Sequence, residues 1–246
     1  MAARIDVFDT YADLSRAAAE RIAERLAARP SLCIALPTGR TPLGMYEELV
    51  AISRERGLTW GGARVFLLDE YFGLGARDPG SFRRYMEDHF LSRLEQRPRV
   101  DALDGRAPDP EAECARYEAA IREAGGFDLA VLGLGSNGHI GFNEPGSSFD
   151  SRTRMVTLAP ETRQANAPDF GGDPSAVPAR ALTVGIATIL ESREVLVLVS
   201  GAAKAEAVRR ALAGPVDPEV PASVLQRHPR VTWLLDREAA ARLEVQ

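Results

Sequence analysis

The sequence is short of cysteine, histidine and long apolar runs, and it carries no excess of positive charge. Each absence removes a class of protein. The two cysteines, Cys33 in an apolar run and Cys114 in a charged helical one, lack metal-site spacing. They read as free thiols in a reducing compartment, so a cytoplasmic location is expected. No stretch is apolar for long enough to cross a bilayer, and MAARIDVFDTYADLSRAAAERIAERL spreads its charges instead of forming a signal-peptide core. A net charge of −5 argues against a nucleic-acid or anionic-membrane partner, though it leaves room for one small basic pocket. With 246 residues, 45% of them hydrophobic, the chain can build the core of one large α/β domain.

What is present is an alternation. Leu14, Ala18, Ile22 and Leu26 recur every four residues, which predicts a helix over 11–28 ended by Pro30. SLCIALP (31–37) reads as a buried strand, and Thr41-Pro42 caps and opens a helix carrying Met45, Leu49 and Ile52. RVFLLDEY (64–71) predicts one strand, SFRRYMEDHFLSRL (81–94) one helix, 109–124 another, and FDLAVLGLG (127–135) a further strand. ALTVG, a short helix, EVLVLVSG, AKAEAVRRALAG and RVTWLLD continue the rhythm. Strands separated by helices need crossover connections. The expected fold is therefore α/β, Rossmann-like: a single domain over 1–246 with an open, mainly parallel sheet and helices on both faces. Residues 158–180, with four prolines and few apolar residues, predict a long irregular connection, either a surface loop or a lid.

Ligands of open parallel sheets gather at the carboxyl ends of the strands, and three of these ends are polar and glycine-rich. In LPTGRTP, Thr38, Gly39, Arg40 and Thr41 fit a tight turn with a capping threonine. The alternative is an anion loop whose amides, hydroxyls and helix dipole converge on a phosphate. In RVFLLDEYFG, Asp69 follows four apolar residues; burial there would raise its pKa toward that of a general base, whereas a plain turn cap is the alternative. Glu70 is expected on the opposite side of the pleat. In FDLAVLGLGSNGHIGFNEPGSSFD, Gly133, Gly135 and Gly138 spell the dinucleotide fingerprint, but Pro145 and Gly146 forbid the long helix that fingerprint requires. Glycine here is read as allowing close backbone approach. His139 differs from His89 and His228, which read as structural, because Asn137, Asn143 and Glu144 share its loop. A carboxylate partner would orient the imidazole and raise its basicity. One histidine and one glutamate in an irregular loop make no metal site.

TGRTP, LLDEYFG, GLGSNGHIGFNEPGSSFDSRTR, ALTVG and SGAAKAEAV, in that order across roughly residues 30–235, resemble the glucosamine-6-phosphate deaminases. The resemblance implies conversion of glucosamine 6-phosphate and water to fructose 6-phosphate and ammonia without an organic cofactor. It implies that Asp69 moves the C2 proton to C1, and that His139, with Asn137 and Glu144, opens the ring. It places the substrate phosphate on Thr38, Gly39, Arg40, Thr41 and Lys204. Glucosamine and galactosamine 6-phosphate fit the pattern alike, and a homo-oligomer is compatible with it.

Three positions depart from that family. Pro168 stands where many relatives have a phosphate-binding arginine, and Arg40 where they have glycine or serine. Arg40 is expected to take over the lost role. Val156 replaces a lysine of the allosteric relatives, so activation by N-acetylglucosamine 6-phosphate is not expected; rate curves with and without that ligand should superimpose. A 6-phosphogluconolactonase-like hydrolase is the alternative enzyme reading, which IGFNEP in place of a TASLFP-like segment disfavours. A non-catalytic sugar-phosphate sensor is the third.

Overall fold

A computed structural model describes residues 3–243. The chain opens with β1 (Arg4–Phe8), α1 (Tyr11–Ala28), β2 (Cys33–Leu36), α2 (Pro42–Glu55), β3 (Arg64–Leu67) and β4 (Asp69–Tyr71). It continues with α3 (Phe82–His89), β5 (Arg99–Asp101), α4 (Pro110–Glu123), β6 (Leu129–Gly133), β7 (Arg154–Thr157) and α5 (Pro160–Asn166). β8 (Arg180–Thr183), α6 (Ile186–Leu190), β9 (Val195–Val199), α7 (Ala205–Ala213), β10 (Val231–Asp236) and α8 (Arg237–Ala240) follow.

Seven strands form one sheet in the order β1-β10-β9-β6-β2-β3-β5, and every pairing in it is parallel. The side-chain period of two divides this sheet between two cores. Ala35, Phe66, Leu132, Val197 and Trp233 face α4, α6 and α7, while Ile34, Leu36, Val65, Val131 and Leu198 face α1 and α2. Both faces of the inner strands are covered, which explains why those strands read as unbroken apolar runs. Helix α1 shows the expected stripe, with Leu14, Ala18, Ile22 and Leu26 buried, and Thr10 caps it by accepting from the Asp13 amide at 3.1 Å.

Three expectations need correction. RVFLLDEY is two strands: the chain leaves the large sheet at Leu68, and Asp69 begins an antiparallel sheet of order β4-β8-β7. Apolar continuity marks burial but cannot say which sheet a residue joins. The helix expected over 81–94 stops at His89, because Phe90 turns out of helical geometry (φ −136°, ψ −62°) before a short 3-10 turn. Finally, 158–180 is not irregular throughout. It carries α5 and the turn Ala167–Phe170, and Leu158, Ala167 and Val177 are buried with Tyr71 and Phe142. Its apolar residues are few but well spaced. Among the described residues, no helix is long and apolar enough to cross a membrane.

Candidate active site

Three strand ends open into one cleft of about 330 Å³ whose walls include Thr38, Gly39, Arg40, Thr41, Asp69, His139 and Lys204. Asn137 and Glu144 stand behind His139.

The loop after β2 is held by its carbonyls and leaves its amides without internal acceptors among the described residues. Gly39 takes φ +99°, a conformation open chiefly to glycine, and Thr41 is already helical, so its hydroxyl makes no cap bond to α2. The capping role expected of Thr41 is therefore not realised; a side-chain cap needs an extended residue. Tyrosines fix the loop's carbonyls instead. The hydroxyl of Tyr46 donates to Pro37 O at 2.6 Å, that of Tyr85 to Gly39 O at 2.6 Å, and that of Tyr11 to Thr41 O at 2.9 Å. With the carbonyls drawn outward, the amides of residues 38–41 donate to no acceptor among the described residues. Amides converging in this way can hold an anion. A Tyr85→Phe variant is expected to raise KM for a phosphorylated substrate about two- to tenfold at near-constant kcat, the worth of one hydrogen bond. Steady-state kinetics would check this.

Asp69 is 7% exposed, and no side-chain hydrogen bond reaches its carboxyl among the described residues. Desolvation, reinforced by the neighbouring charge of Glu70, pushes it up to about 8. Glu70 points elsewhere. Its oxygens accept from Ser81 Oγ at 2.7 Å and from the amides of Tyr71, Phe82 and Arg83 at 2.9, 3.1 and 3.1 Å. Burial still raises its pKa against those bonds. Glu70 thus anchors the start of α3, the helix that carries Tyr85 to the Thr38–Thr41 loop.

Within GLGSNG, Gly135 makes room for an imidazole. A Cβ on Gly135 would overlap the His139 ring, so that residue must be glycine for the histidine to lie where it does. His139 Nδ1 is 3.5 Å from Glu144 Oε2, an ion-pair distance at which Nδ1 makes no regular hydrogen bond. Asn137 closes the triangle: its amide donates to Glu144 Oε2 at 2.8 Å, and its oxygen accepts from the His139 backbone at 3.2 Å. Burial pushes Glu144 up, but His139 and Asn137 outweigh it and hold the carboxyl at about 2. Asn143, wholly buried, donates to Ile140 O and Val184 O, both at 2.9 Å, and accepts from Arg154 at 2.8 Å. That bond and one to Ser147 occupy Arg154, while Val156 packs against the aromatic cluster around Tyr71.

The remaining wall comes from 158–180. Asn166 donates to the Tyr71 hydroxyl at 2.8 Å, and Phe170 stands edge-on to Tyr71 with centroids 5.3 Å apart. Asn166 and Asp169 line the cleft. Pro168 lies between them in the 3-10 turn and supplies no charge.

The sequence model described as "Glucosamine-6-phosphate isomerases/6-phosphogluconolactonase" matches residues 6–233. The chain belongs to that family. Within the glucosamine-6-phosphate isomerase/6-phosphogluconolactonase family, glucosamine-6-phosphate deaminase 2 of Giardia intestinalis is 48% identical over 230 residues, covering 93% of this chain and 88% of that protein. A solved structure of a monomeric glucosamine-6-phosphate deaminase matches with TM-score 0.94 at 45% identity, over 97% of this chain and 99% of that one. A Trypanosoma brucei 6-phosphogluconolactonase matches with TM-score 0.74 at 25% identity, over 98% and 99% respectively.

Several contributors escaped the sequence reading. The tyrosine hydroxyls act across 9 to 46 residues of chain, a separation that periodicity does not reveal. Asn166 and Asp169 were hidden in a segment read only as irregular. The DEY motif did carry a signal for Glu70, since a second acid beside a buried aspartate needs donors of its own.

Proposed function

We propose that this chain deaminates and isomerises glucosamine 6-phosphate to fructose 6-phosphate, releasing ammonia. The observation that carries the proposal is the pairing, in one cleft with an anion loop, of a desolvated carboxylate and a carboxylate-backed imidazole. The phosphate lies on the amides and hydroxyls of Thr38–Thr41 with Lys204 beside them, so the far end of the sugar meets Asp69 and His139. His139 carries a proton from O1 to the ring oxygen, and Glu144 and Asn137 hold the ring in place for it. In the open chain, Asp69 takes the C2 proton, leaving an enolamine, and returns it to C1. Water then adds at C2 of the resulting iminium, and ammonia leaves. None of these steps asks for an organic cofactor or a metal.

We read the chain as one working domain, because residues from both sheets line the cleft. Arg40 supplies the charge that Pro168 lacks. Losing one charge-assisted bond costs about 1.5–3 kcal/mol, so Arg40→Ala is expected to raise KM about ten- to a hundredfold; an unchanged KM would contradict the exchange. The reading as a whole is tested by assaying ammonia and fructose 6-phosphate from glucosamine 6-phosphate beside hydrolysis of 6-phosphogluconolactone. Ammonia release alone is expected. Lactone hydrolysis alone would transfer the chain to the other branch of its family, and tight sugar-phosphate binding without turnover would make it a sensor.

A further inference from the structure

Lys204 is the single lysine among 246 residues; every other long-chain cation is an arginine. It ends the Ala202–Lys204 turn before α7 and lines the cleft together with the Thr38–Thr41 loop. No carboxylate pairs with it among the described residues, and burial lowers its pKa. An amine so placed is free base more often than a solvated lysine. Arginine cannot substitute in this chemistry, because its guanidinium stays protonated. The cleft therefore joins an anion loop to one nucleophilic nitrogen.

We infer that Lys204 is a covalent capture site for short phosphorylated aldehydes, which it holds as imines. The inference rests on the anion-loop reading of Thr38–Thr41. A hexose phosphate seated there keeps C1 and C2 a whole carbon chain away, near Asp69 and His139, and contacts Lys204 only through its phosphate. A shorter aldehyde seats its phosphate on the same amides and brings its carbonyl beside the lysine. The nitrogen lone pair then attacks the carbonyl carbon, a C–N bond forms, and the oxygen takes a proton to give a carbinolamine. Nitrogen loses a proton, the hydroxyl leaves as water, and a C=N bond remains. The net change is amine plus aldehyde to imine plus water, with no oxidant or reductant. Compounds of this class are thereby reversible inhibitors of the site.

The test uses the whole protein and pyridoxal 5′-phosphate, a phosphorylated aldehyde, followed by borohydride reduction, intact-mass measurement and peptide mapping. One adduct on Lys204 is expected, suppressed by inorganic phosphate and by glyceraldehyde 3-phosphate, and missing from Lys204→Arg. Unphosphorylated glyceraldehyde should label Lys204 at least about tenfold more slowly, a difference of about 1.4 kcal/mol in recognition. Labelling confined to the α-amino terminus would overturn the inference, as would equal labelling by unphosphorylated glyceraldehyde or a lack of protection by phosphate. Because the readout is mass, it stands apart from ammonia release and separates this inference from the deaminase reading.

Discussion

Asp69→Asn is expected to retain sugar-phosphate binding while deamination falls by about 10²–10⁴, equivalent to roughly 3–5 kcal/mol of transition-state stabilisation. Titration with substrate, alongside ammonia assays, would show both halves; near-normal turnover would remove Asp69 from the mechanism. The same substitution should make the protein more stable in alkaline solution. The Asp69 carboxyl sits at about 8 in the fold against an ordinary 3.8, so the folded protein holds this proton more tightly than the unfolded chain does. Its contribution to stability is complete below about pH 4 and is lost as pH rises toward about 8, on the order of 5 kcal/mol across that window. Asparagine carries no charge to desolvate. The variant's melting temperature should therefore exceed that of the parent at about pH 9 and approach it at about pH 4. A parent at least as stable as the variant at the higher pH would contradict the desolvation of Asp69. Because the base must be ionised, kcat/KM of the parent should climb with pH up to about 8.

His139→Gln is expected to lower kcat by about 10²–10⁴, the usual worth of a positioned acid–base group. Affinity for the corresponding alditol phosphate, which has no ring to open, should stay within about threefold, or roughly 0.6 kcal/mol. Competitive inhibition by the alditol would measure it. A fall in alditol affinity as large as the fall in kcat would make His139 a binding residue rather than a proton carrier.

The two assignments differ in how the sequence announced them. Asp69 was marked by the apolar run before it, since burial of a lone carboxyl is readable wherever the strand is readable. His139 was marked by its companions, because glycine, asparagine and glutamate within six residues suit few tasks other than presenting a ring. The parallel sheet was legible for the same reason as Asp69: strands buried on both faces are written as continuous apolar runs. The edge strand β1 was not, since RIDVF alternates and leaves Ile5 and Val7 exposed. Strand β7 was missed likewise, being half-buried with Met155 exposed. The point where one apolar run passes between two sheets at Leu68 had no mark at all. That choice depends on pairing with β8, more than a hundred residues later in the chain.

The carbonyls of Pro37, Gly39 and Thr41 are held by Tyr46 of α2, Tyr85 of α3 and Tyr11 of α1 respectively. Each hydroxyl belongs to a different helix of the same layer, so the loop works as a gauge of how those helices are stacked. On the function proposed above, damage remote from the cleft, in the interior seam where α1 meets α2, should then surface as slack in gripping the anionic end of a ligand. Asp69 and His139 are mounted elsewhere, on β4 and in the loop after β6.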